Sequence, residues 1–167
     1  DKMVGDGISI DPTSQSLVAP CEGSVVQVHP SCHALTVAHP SGVEVLMHIG
    51  LDTVALKGRG FTPRVRTGDT VRAGDALIDF DADAIATQAR SLLTEVVITN
   101  GELIARYEPR SGRVEAGLDP VLTLHLVPRE VPTAEAAGPS ATSAPVVVPN
   151  PQGLHARPAA VLANLAK

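Results

Sequence analysis

Residues 33–48 read HALTVAHPSGVEVLMH, two alternating apolar segments separated by a short polar stretch. That stretch, residues 39–42, supplies a proline and a glycine, which favour turns. Two such segments on either side of a turn predict an antiparallel β-hairpin. If Ala38 faces Val43, His33 lies directly opposite His48, with Cβ atoms about 4.5 to 5.5 Å apart. The sequence therefore predicts that two imidazoles share one small surface.

Side-chain alternation assigns the residues around these histidines to the two faces of the hairpin. In the second segment one face consists of Val43, Val45, Met47 and Ile49, and the other of Glu44, Leu46 and His48. We expect Leu35 and Val37 of the first segment to flank the histidines. Two facing imidazoles suit metal binding, acid–base catalysis or a nucleophile steadied by its neighbour, and spacing alone does not choose among these roles.

Short apolar segments continue from Val4 to about Val127, interrupted by Gly, Pro, Asp and Ser roughly every ten residues. The chain has only two Phe, one Tyr and no Trp, so its core must be aliphatic. These features predict an all-β fold, an antiparallel β-sandwich or barrel-sandwich with short helices. One helix is predicted from Ala82 to Ser91 with Asp81 as its N-cap, and a weaker one from Glu102 to Tyr107.

The composition changes after Val127 to a stretch rich in Pro, Ala, Ser and Thr, which cannot bury enough apolar surface to order itself. We therefore predict a main domain over residues 1–128 and a flexible linker over 129–145. Residues 146–167 read as a short strand, a loop and a helix, the truncated start of an α+β domain. Both ends of the chain read as cuts in a longer protein, and the main domain is expected to lack its first strand.

Composition and charge exclude several classes of function. The net charge is -5, and the thirteen basic residues are scattered, so nucleic acid is not expected as a partner. The chain contains no signal peptide and no apolar run of the roughly 18 to 20 residues that span a bilayer, so we predict a cytoplasmic protein. Cys21 and Cys32 form no C-x-x-C motif and are predicted to be free thiols.

The segment VEVLMHIGLDTVALKGRGF, residues 43–61, resembles the glucose-type enzyme IIA of the bacterial sugar phosphotransferase system. The resemblance extends to VGDGISIDP at 4–12, SCHALTV at 31–37 and TEVVITN at 94–100. It implies the fold known as the duplicated hybrid motif. It also implies that His48 carries a phosphoryl group on Nε2 and that His33 supports it. Asp6 and Asp52 would lie at the rim of the site, where carboxylates pair with a basic residue of a docking partner.

Two further expectations concern the surroundings of His48. Its second ring nitrogen should donate a hydrogen bond to a backbone carbonyl between Gly50 and Asp52, which leaves the first nitrogen free to receive phosphorus. A collar of aliphatic side chains would let a partner dock and would exclude water during transfer. We predict that this collar consists of Val4, Leu35, Val37 and Leu46.

The segment PNPQGLHARPAAVLANLAK, residues 149–167, resembles the start of HPr, the small phosphocarrier of the same system. The resemblance implies that His155 accepts phosphate through Nδ1 and that Arg157 steadies it. A histidine at the start of a helix suits this role, because free backbone N–H groups and the helix dipole favour a bound phosphate. His29, His39 and His125 match neither motif and are interpreted as structural residues.

The resemblance predicts a phosphotransferase component without a cofactor. Enzyme I would charge His155, His155 would charge His48, and His48 would pass the phosphoryl group to the IIB domain of a sugar permease. The chain would then reach the membrane only through that permease. Two alternatives remain at this stage. Residues 68–75, GDTVRAGD, are similar to turns of biotinyl and lipoyl carrier domains, and a zinc hydrolase could use His33, His48 and Asp6 as ligands.

Overall fold

Short apolar segments form strands throughout residues 6–128, the part of the chain that this computed structural model describes. In chain order the strands are β1 (Gly7–Ile10), β2 (Ser16–Val18), β3 (Gly23–Val28), β4 (Ala34–Ala38), β5 (Glu44–His48), β6 (Phe61–Pro63), β7 (Thr70–Val71), β8 (Ala76–Phe80), β9 (Thr94–Ile98), β10 (Ile104–Pro109) and β11 (Leu122–Leu126). The helical elements there are short: α1 (Ala82–Ala86) and two 3₁₀ turns, Thr53–Leu56 and Gly101–Leu103.

The strands form a six-stranded sheet in the order β1-β9-β5-β4-β3-β7, a three-stranded sheet in the order β2-β8-β6, and the hairpin β10-β11. Every strand pair in these sheets is antiparallel. Buried side chains of both larger sheets join in one cluster, which is aliphatic apart from Phe61 and Phe80. The predicted all-β antiparallel sandwich with an aliphatic core is confirmed.

The hairpin of β4 and β5 has a register one residue away from the predicted one. Ala34 pairs with His48, and Ala38 pairs with Glu44. The loop is one residue shorter than expected, because the N–H of His39 donates to the carbonyl of Val43 (2.8 Å). The N–H of Gly42 donates to the carbonyl of His39 (2.8 Å), and Gly42 has φ +93°. This is a type I turn followed by a glycine bulge, a common three-residue hairpin loop.

The corrected register moves two predicted surface residues into the core. Leu35 pairs with Met47 and Val37 with Val45, so both turn to the inner face of the sheet. Leu35 is 1% exposed and Val37 is 0% exposed. The prediction that they belong to a docking collar was therefore wrong. Leu46 is half-buried on the same face as His48, so its place in the collar stays a prediction.

Helix α1 is shorter than predicted. Asp81 does cap it, since its carboxylate accepts a hydrogen bond from the N–H of Ala84 (2.9 Å). The helix ends at Ala86 instead of Ser91, because the next residues bond to another part of the chain. The N–H of Arg90 donates to the carbonyl of Leu51 (3.1 Å), and the N–H of Leu51 donates to the carbonyl of Ser91 (2.8 Å). These tertiary hydrogen bonds replace further helical turns.

The predicted helix from Glu102 to Tyr107 does not form. The chain makes the 3₁₀ turn Gly101–Leu103 and then enters β10, which pairs with β11. The local sequence IARY has a helical appearance, but a partner strand some twenty residues later supplies the hydrogen bonds that decide the conformation. Such pairing overrides weak local propensity.

The first compact unit of the chain spans Asp1–Arg129. Within residues 6–128 both cysteines are free thiols, as predicted. None of the helical segments in that range has the length and apolar character that a membrane crossing requires. Val4, the predicted linker, and the segment that holds His155 and Arg157 lie outside the described residues.

Candidate functional site

Three histidine rings lie close together where strands β3, β4 and β5 meet. The rings of His33 and His48 have centroids 4.7 Å apart and planes inclined by 76°. The ring of His33 also lies 4.4 Å from the ring of His29, at an interplanar angle of 62°. Both contacts are edge-to-face. The structure thus brings together the two predicted histidines and adds a third, His29, that was interpreted as structural.

The turn between β3 and β4 places His33 against the other two rings. Cys32 has φ +54°, the left-handed conformation, and its N–H donates to the carbonyl of His29 (2.7 Å). His33 follows directly and lies just before β4 begins. Its carbonyl accepts a hydrogen bond from the N–H of Ile49 (2.8 Å), the residue after His48. The predicted meeting of the two imidazoles is correct, but it arises from this turn and not from direct cross-strand pairing.

His33 is almost completely enclosed, since only 3% of it is exposed. Its Nδ1 atom is buried without a hydrogen-bond partner of good geometry. Burial first, then the neighbouring His48 and His29, lower the pKa of His33 to about 4, against a smaller raising effect of the Ser31 backbone. His33 is therefore an uncharged imidazole at neutral pH, able to donate one N–H and to accept one hydrogen bond.

His48 is the more accessible member of the pair. It ends β5 and is half-buried, and Ala34 and Glu95 lie beside it on the neighbouring strands. The hydroxyl of Ser9 donates a hydrogen bond to Oε2 of Glu95 (2.7 Å), so that carboxylate oxygen already has a partner. Neither ring nitrogen of His48 is hydrogen-bonded to another residue within 6–128, so the predicted bond to a carbonyl between Gly50 and Asp52 is not formed. One face of His48 is thus open to a reactant.

The turn after His48 requires a glycine at position 50. Gly50 has φ +70°, and a Cβ atom there would lie 2.7 Å from Cγ2 of Thr53 and 2.8 Å from the carbonyl oxygen of Ser91. The hydroxyl of Thr53 donates to the carbonyl of Ile49 (2.7 Å) and fixes the same turn. Asp52 also has a positive φ, 64°, and is exposed immediately before the 3₁₀ turn. Gly50 shapes the backbone beside His48, and Asp52 presents a carboxylate nearby.

Asp6 lies away from His48. Its carbonyl accepts a hydrogen bond from the N–H of Ile98 (3.1 Å), three positions along β9 from Glu95, the partner of His48. Three residues of an extended strand span roughly 10 Å, and β1 is separated from β5 by β9. Burial first, then the charges of Asp6 and Glu102, raise the pKa of Tyr107. The backbone of Asp6 therefore does not lie beside His48, where the rim of the site was expected.

A small hollow lies beside His29. It has a volume of about 60 Å³ and is lined by Gln27, His29, Ala34, Leu35, Thr36 and Leu46, so neither His33 nor His48 borders it. Pockets for ordinary small molecules are several times larger, about 300 to 1,000 Å³. Within residues 6–128 no group of three or more His, Cys, Asp or Glu side chains is arranged to hold a metal ion. His33, His48 and Asp6, the three ligands of the zinc alternative, are therefore not brought together within residues 6–128.

Two residues near His33 and His48, namely His29 and Glu95, were not predicted from the sequence to belong to the site. His29 could have been found by extending the ladder of β3 and β4 by one pair, because Val28 faces Leu35 and the N–H of His29 donates to the carbonyl of Ala34 (2.9 Å). Glu95 could be found only with the strand order, since β9 is distant in sequence from β5. Neither residue carries a local motif that marks it.

Similarity to known proteins covers the part of the chain that contains the three histidines. The sequence model of the family described as "phosphoenolpyruvate-dependent sugar phosphotransferase system, EIIA 1" matches residues 1–104. A second model, described as "PTS HPr component phosphorylation site", matches residues 142–167.

Individual relatives show the same similarity. The glucose-specific EIIA component of Halalkalibacterium halodurans is 45% identical over 124 residues, which cover 74% of this chain and 72% of that protein. The beta-glucoside-specific EIIBCA component of Dickeya chrysanthemi is 48% identical over 115 residues, which cover 68% of this chain and 18% of that protein. The solved structure of glucose permease IIA from Mycoplasma capricolum has a TM-score of 0.65 at 38% identity and covers 71% of this chain and 76% of its own.

Proposed function

Because this chain belongs to the EIIA 1 family of the phosphoenolpyruvate-dependent sugar phosphotransferase system, we propose that it carries a phosphoryl group on His48. The group is accepted from phospho-HPr and passed to the IIB domain of a sugar permease. The observation that carries the proposal is the contact between two imidazoles. The ring of His33 is buried and uncharged, whereas His48 is half-buried and its ring nitrogens have no hydrogen-bond partner within residues 6–128. Proteins of this family are phosphotransferase components.

The solvent accessibility of the two histidines favours His48 as the phosphoryl acceptor and His33 as the residue that assists it. A phosphoryl donor held by another protein must approach in line with the attacking nitrogen, so the acceptor must lie at the surface. His48 is half-buried, whereas His33 is 3% exposed. In this assignment the neutral His33 donates its N–H to an oxygen of the phosphoryl group and stabilises charge that develops there.

The chemical step exchanges one nitrogen–phosphorus bond for another. The lone pair of a neutral His48 nitrogen attacks phosphorus, and the bond from phosphorus to the donor histidine breaks. The electron pair of that bond returns to the donor ring, which leaves as neutral imidazole if its other nitrogen carries a proton. Because equivalent bonds form and break, the transfer is nearly isoergic. The protein then needs to supply mainly alignment and charge compensation.

The docking surface in this proposal lies on the open side of His48. Leu46 lies two residues before His48 in β5 and therefore on the same face of the sheet. Val54 lies two residues after Asp52, and 54% of its surface is exposed. We propose that these two aliphatic side chains contact the partner and that the carboxylate of Asp52 pairs with a basic residue of it. Val4 keeps its predicted place in this surface as a proposal only, since it lies outside the described residues.

The names of the relatives indicate the partners of this chain. The Dickeya relative is named an EIIBCA component, so its A part shares a chain with a B part, which supports IIB as the acceptor for this chain. Glucose-specific names among the relatives support glucose as the sugar class. The match of residues 142–167 supports His155 and Arg157 as a second phosphoryl site, charged by enzyme I. The proposal keeps the predicted cytoplasmic location, with the membrane reached only through the permease.

The alternative carrier function has less support. A biotinyl or lipoyl domain attaches its cofactor to a lysine in an exposed hairpin, and the turn between β7 and β8 contains Arg72, Ala73, Gly74 and Asp75. Within residues 6–128 the chain's lysine is Lys57, which follows the 3₁₀ turn near His48. The turn between β7 and β8 therefore lacks the residue that this chemistry requires, and these strands belong to different sheets.

Phosphate mapping on the intact chain tests the proposal. The wild-type chain is incubated with phosphoenolpyruvate, enzyme I and HPr, and acid-labile phosphate is located on peptides by mass spectrometry. We expect label on the peptide with His48 in the wild type, its loss in His48→Gln and its retention in the matched control His39→Gln. His155→Ala tests the second site in the same way. Label that persists on the His48 peptide of His48→Gln would overturn the assignment.

A further inference from the structure

His29 is the third imidazole of the site, and the transfer proposed above gives it no role. Its ring lies 4.4 Å from the ring of His33, which also contacts His48. The ring of Phe61 lies 6.3 Å from His33 as well. His33 is thus packed between two imidazoles and a phenyl ring. A substitution at His29 therefore changes the contacts of His33 directly, and it affects His48 through His33.

The turn that His29 begins also fixes the orientation of its ring. The N–H of Ser31 donates to Nδ1 of His29 (3.2 Å), and the N–H of Cys32 donates to the carbonyl of His29 (2.7 Å). Because Nδ1 is an acceptor here, the neutral ring carries its proton on Nε2. His29 therefore has a defined tautomer and a defined place against His33.

We propose that His29 is a positioning residue for phosphoryl transfer at His48, and that it acts through His33 by holding that ring in place. Its role in transfer rests on the proposed function of the chain. Its effect on His33 is a property of the folded domain and can be measured without phosphate.

The charges around His33 explain why its neutral form matters. The rings of His29 from β3 and His48 from β5 face it, with the Cys32 thiol in the adjoining turn and the Glu95 carboxylate beyond His48 on β9. A cationic His33 would attract the phosphoryl group on His48 in the ground state and slow its onward transfer. A neutral His33 still donates a hydrogen bond as charge develops. The ring of His29 packs against that of His33, which is 3% exposed, and so helps to shield it from water and to maintain this state.

The sequence contains a matched control for the experiment. His29-Pro30-Ser31 and His39-Pro40-Ser41 are both His-Pro-Ser turns, and in each the serine N–H donates to Nδ1 of the histidine, at 3.2 Å and 3.1 Å. His39 lies at the other end of β4, in the turn to β5. Replacement of either histidine by Asn retains an acceptor for the serine N–H and removes the ring. His29→Phe retains a ring against His33 and removes the ring nitrogens.

The test measures two quantities in the full chain. Histidine ring titrations by NMR report the state of His33, and stopped-flow transfer from phospho-HPr reports its function. We expect the pKa of His33 to rise by up to about one unit in His29→Asn and by less in His29→Phe, which still shields the ring from water. We expect the transfer rate constant of His29→Asn to fall about tenfold with an unchanged KM for phospho-HPr. His39→Asn should match the wild type in both measurements.

The two proposals fail in different ways. If the wild type accepts phosphate on His48 while His29→Asn titrates and transfers like His39→Asn, the inference about His29 is overturned and the proposed function stands. If the wild type accepts no phosphate at His48, the proposed function is overturned and the positioning role falls with it. A fall in rate that comes only from a higher KM would place His29 in the docking surface and would also contradict the inference.

Discussion

A single buried imidazole makes the stability of this domain depend on pH. His33 has its pKa lowered to about 4 in the folded protein, mainly by burial, against an ordinary value of 6.5. The unfolded chain therefore binds more protons than the folded one between these two values. Stability from this group is fully present above pH 6.5 and is lost as the pH falls toward 4.

We expect this effect to be measurable as a difference between two proteins. From pH 7 to pH 4 the wild type should lose about 2 kcal/mol more of its unfolding free energy than His33→Gln does, because glutamine does not titrate. Urea denaturation at several pH values measures the slope. Asp79, whose pKa is lowered by hydrogen bonds from Arg64 and Ser16, also loses stability in acid, but it does so equally in both proteins. Parallel slopes for the two proteins would show that His33 is not protected from protonation.

The sequence revealed the residues of the site only in part, and the reason is geometric. Alternation along two segments predicted that His33 and His48 meet, but through a cross-strand pairing that does not form, since His48 pairs with Ala34 and the turn before β4 brings His33 to it. His29 required knowledge of the turn between β3 and β4, in which Cys32 adopts φ +54°, a conformation uncommon for a residue other than glycine. Asp6 was expected at the rim of the site, but backbone pairing with β9 places it farther along the sheet. Tertiary contacts of this kind leave no local pattern.

At the level of elements, the register of the central hairpin depends on Gly42. Its φ of +93° lets a bulge complete a three-residue loop, and the one-residue change turns Leu35 and Val37 into the core. The amide of Asn100 supports this turn, since it accepts from the N–H of Glu44 (2.9 Å) and donates to the carbonyl of Gly42 (2.6 Å). The sequence HPSG predicted a turn correctly, but the same four residues are compatible with a four-residue loop and with a three-residue loop. The structure was needed to choose between them.

Gly42→Ala should destabilise the domain by about 1 kcal/mol, because an alanine strains the backbone at positive φ. Lack of space is not the cause, since the nearest atom to an added Cβ is Cδ1 of Leu103 at 3.6 Å. Gly42→Asn should recover part of the loss, because asparagine tolerates left-handed conformations better. Urea unfolding curves of the three proteins measure these differences. Equal losses for alanine and asparagine would indicate that side-chain crowding, and not backbone strain, sets the cost.

For the molecule as a whole, the aliphatic core joins the two larger sheets. Leu77 and Ile78 of the three-stranded sheet and Val25, Leu35 and Met47 of the six-stranded sheet belong to one buried cluster. Partly buried side chains of β10 and β11, among them Tyr107 and Leu124, pack against it. Composition predicted this aliphatic core, because a chain with so few aromatic residues has no other means of filling it. Which strands meet across it depended on pairings between distant segments.

A continuous core implies that the domain unfolds as one unit, and a single substitution can test this. Leu77 is 0% exposed, so Leu77→Ala should lower the unfolding free energy by about 3 to 4 kcal/mol, whereas Leu118→Ala, at a position 75% exposed, should change it by less than about 0.5 kcal/mol. Circular dichroism reports the sheets, and fluorescence of Tyr107 reports the β10–β11 hairpin. We expect both transitions to shift together in Leu77→Ala, because the same cluster supports both sheets and hairpin. A tyrosine transition that stays in place would mean that the hairpin is stabilised independently of the core that holds His33 and His48.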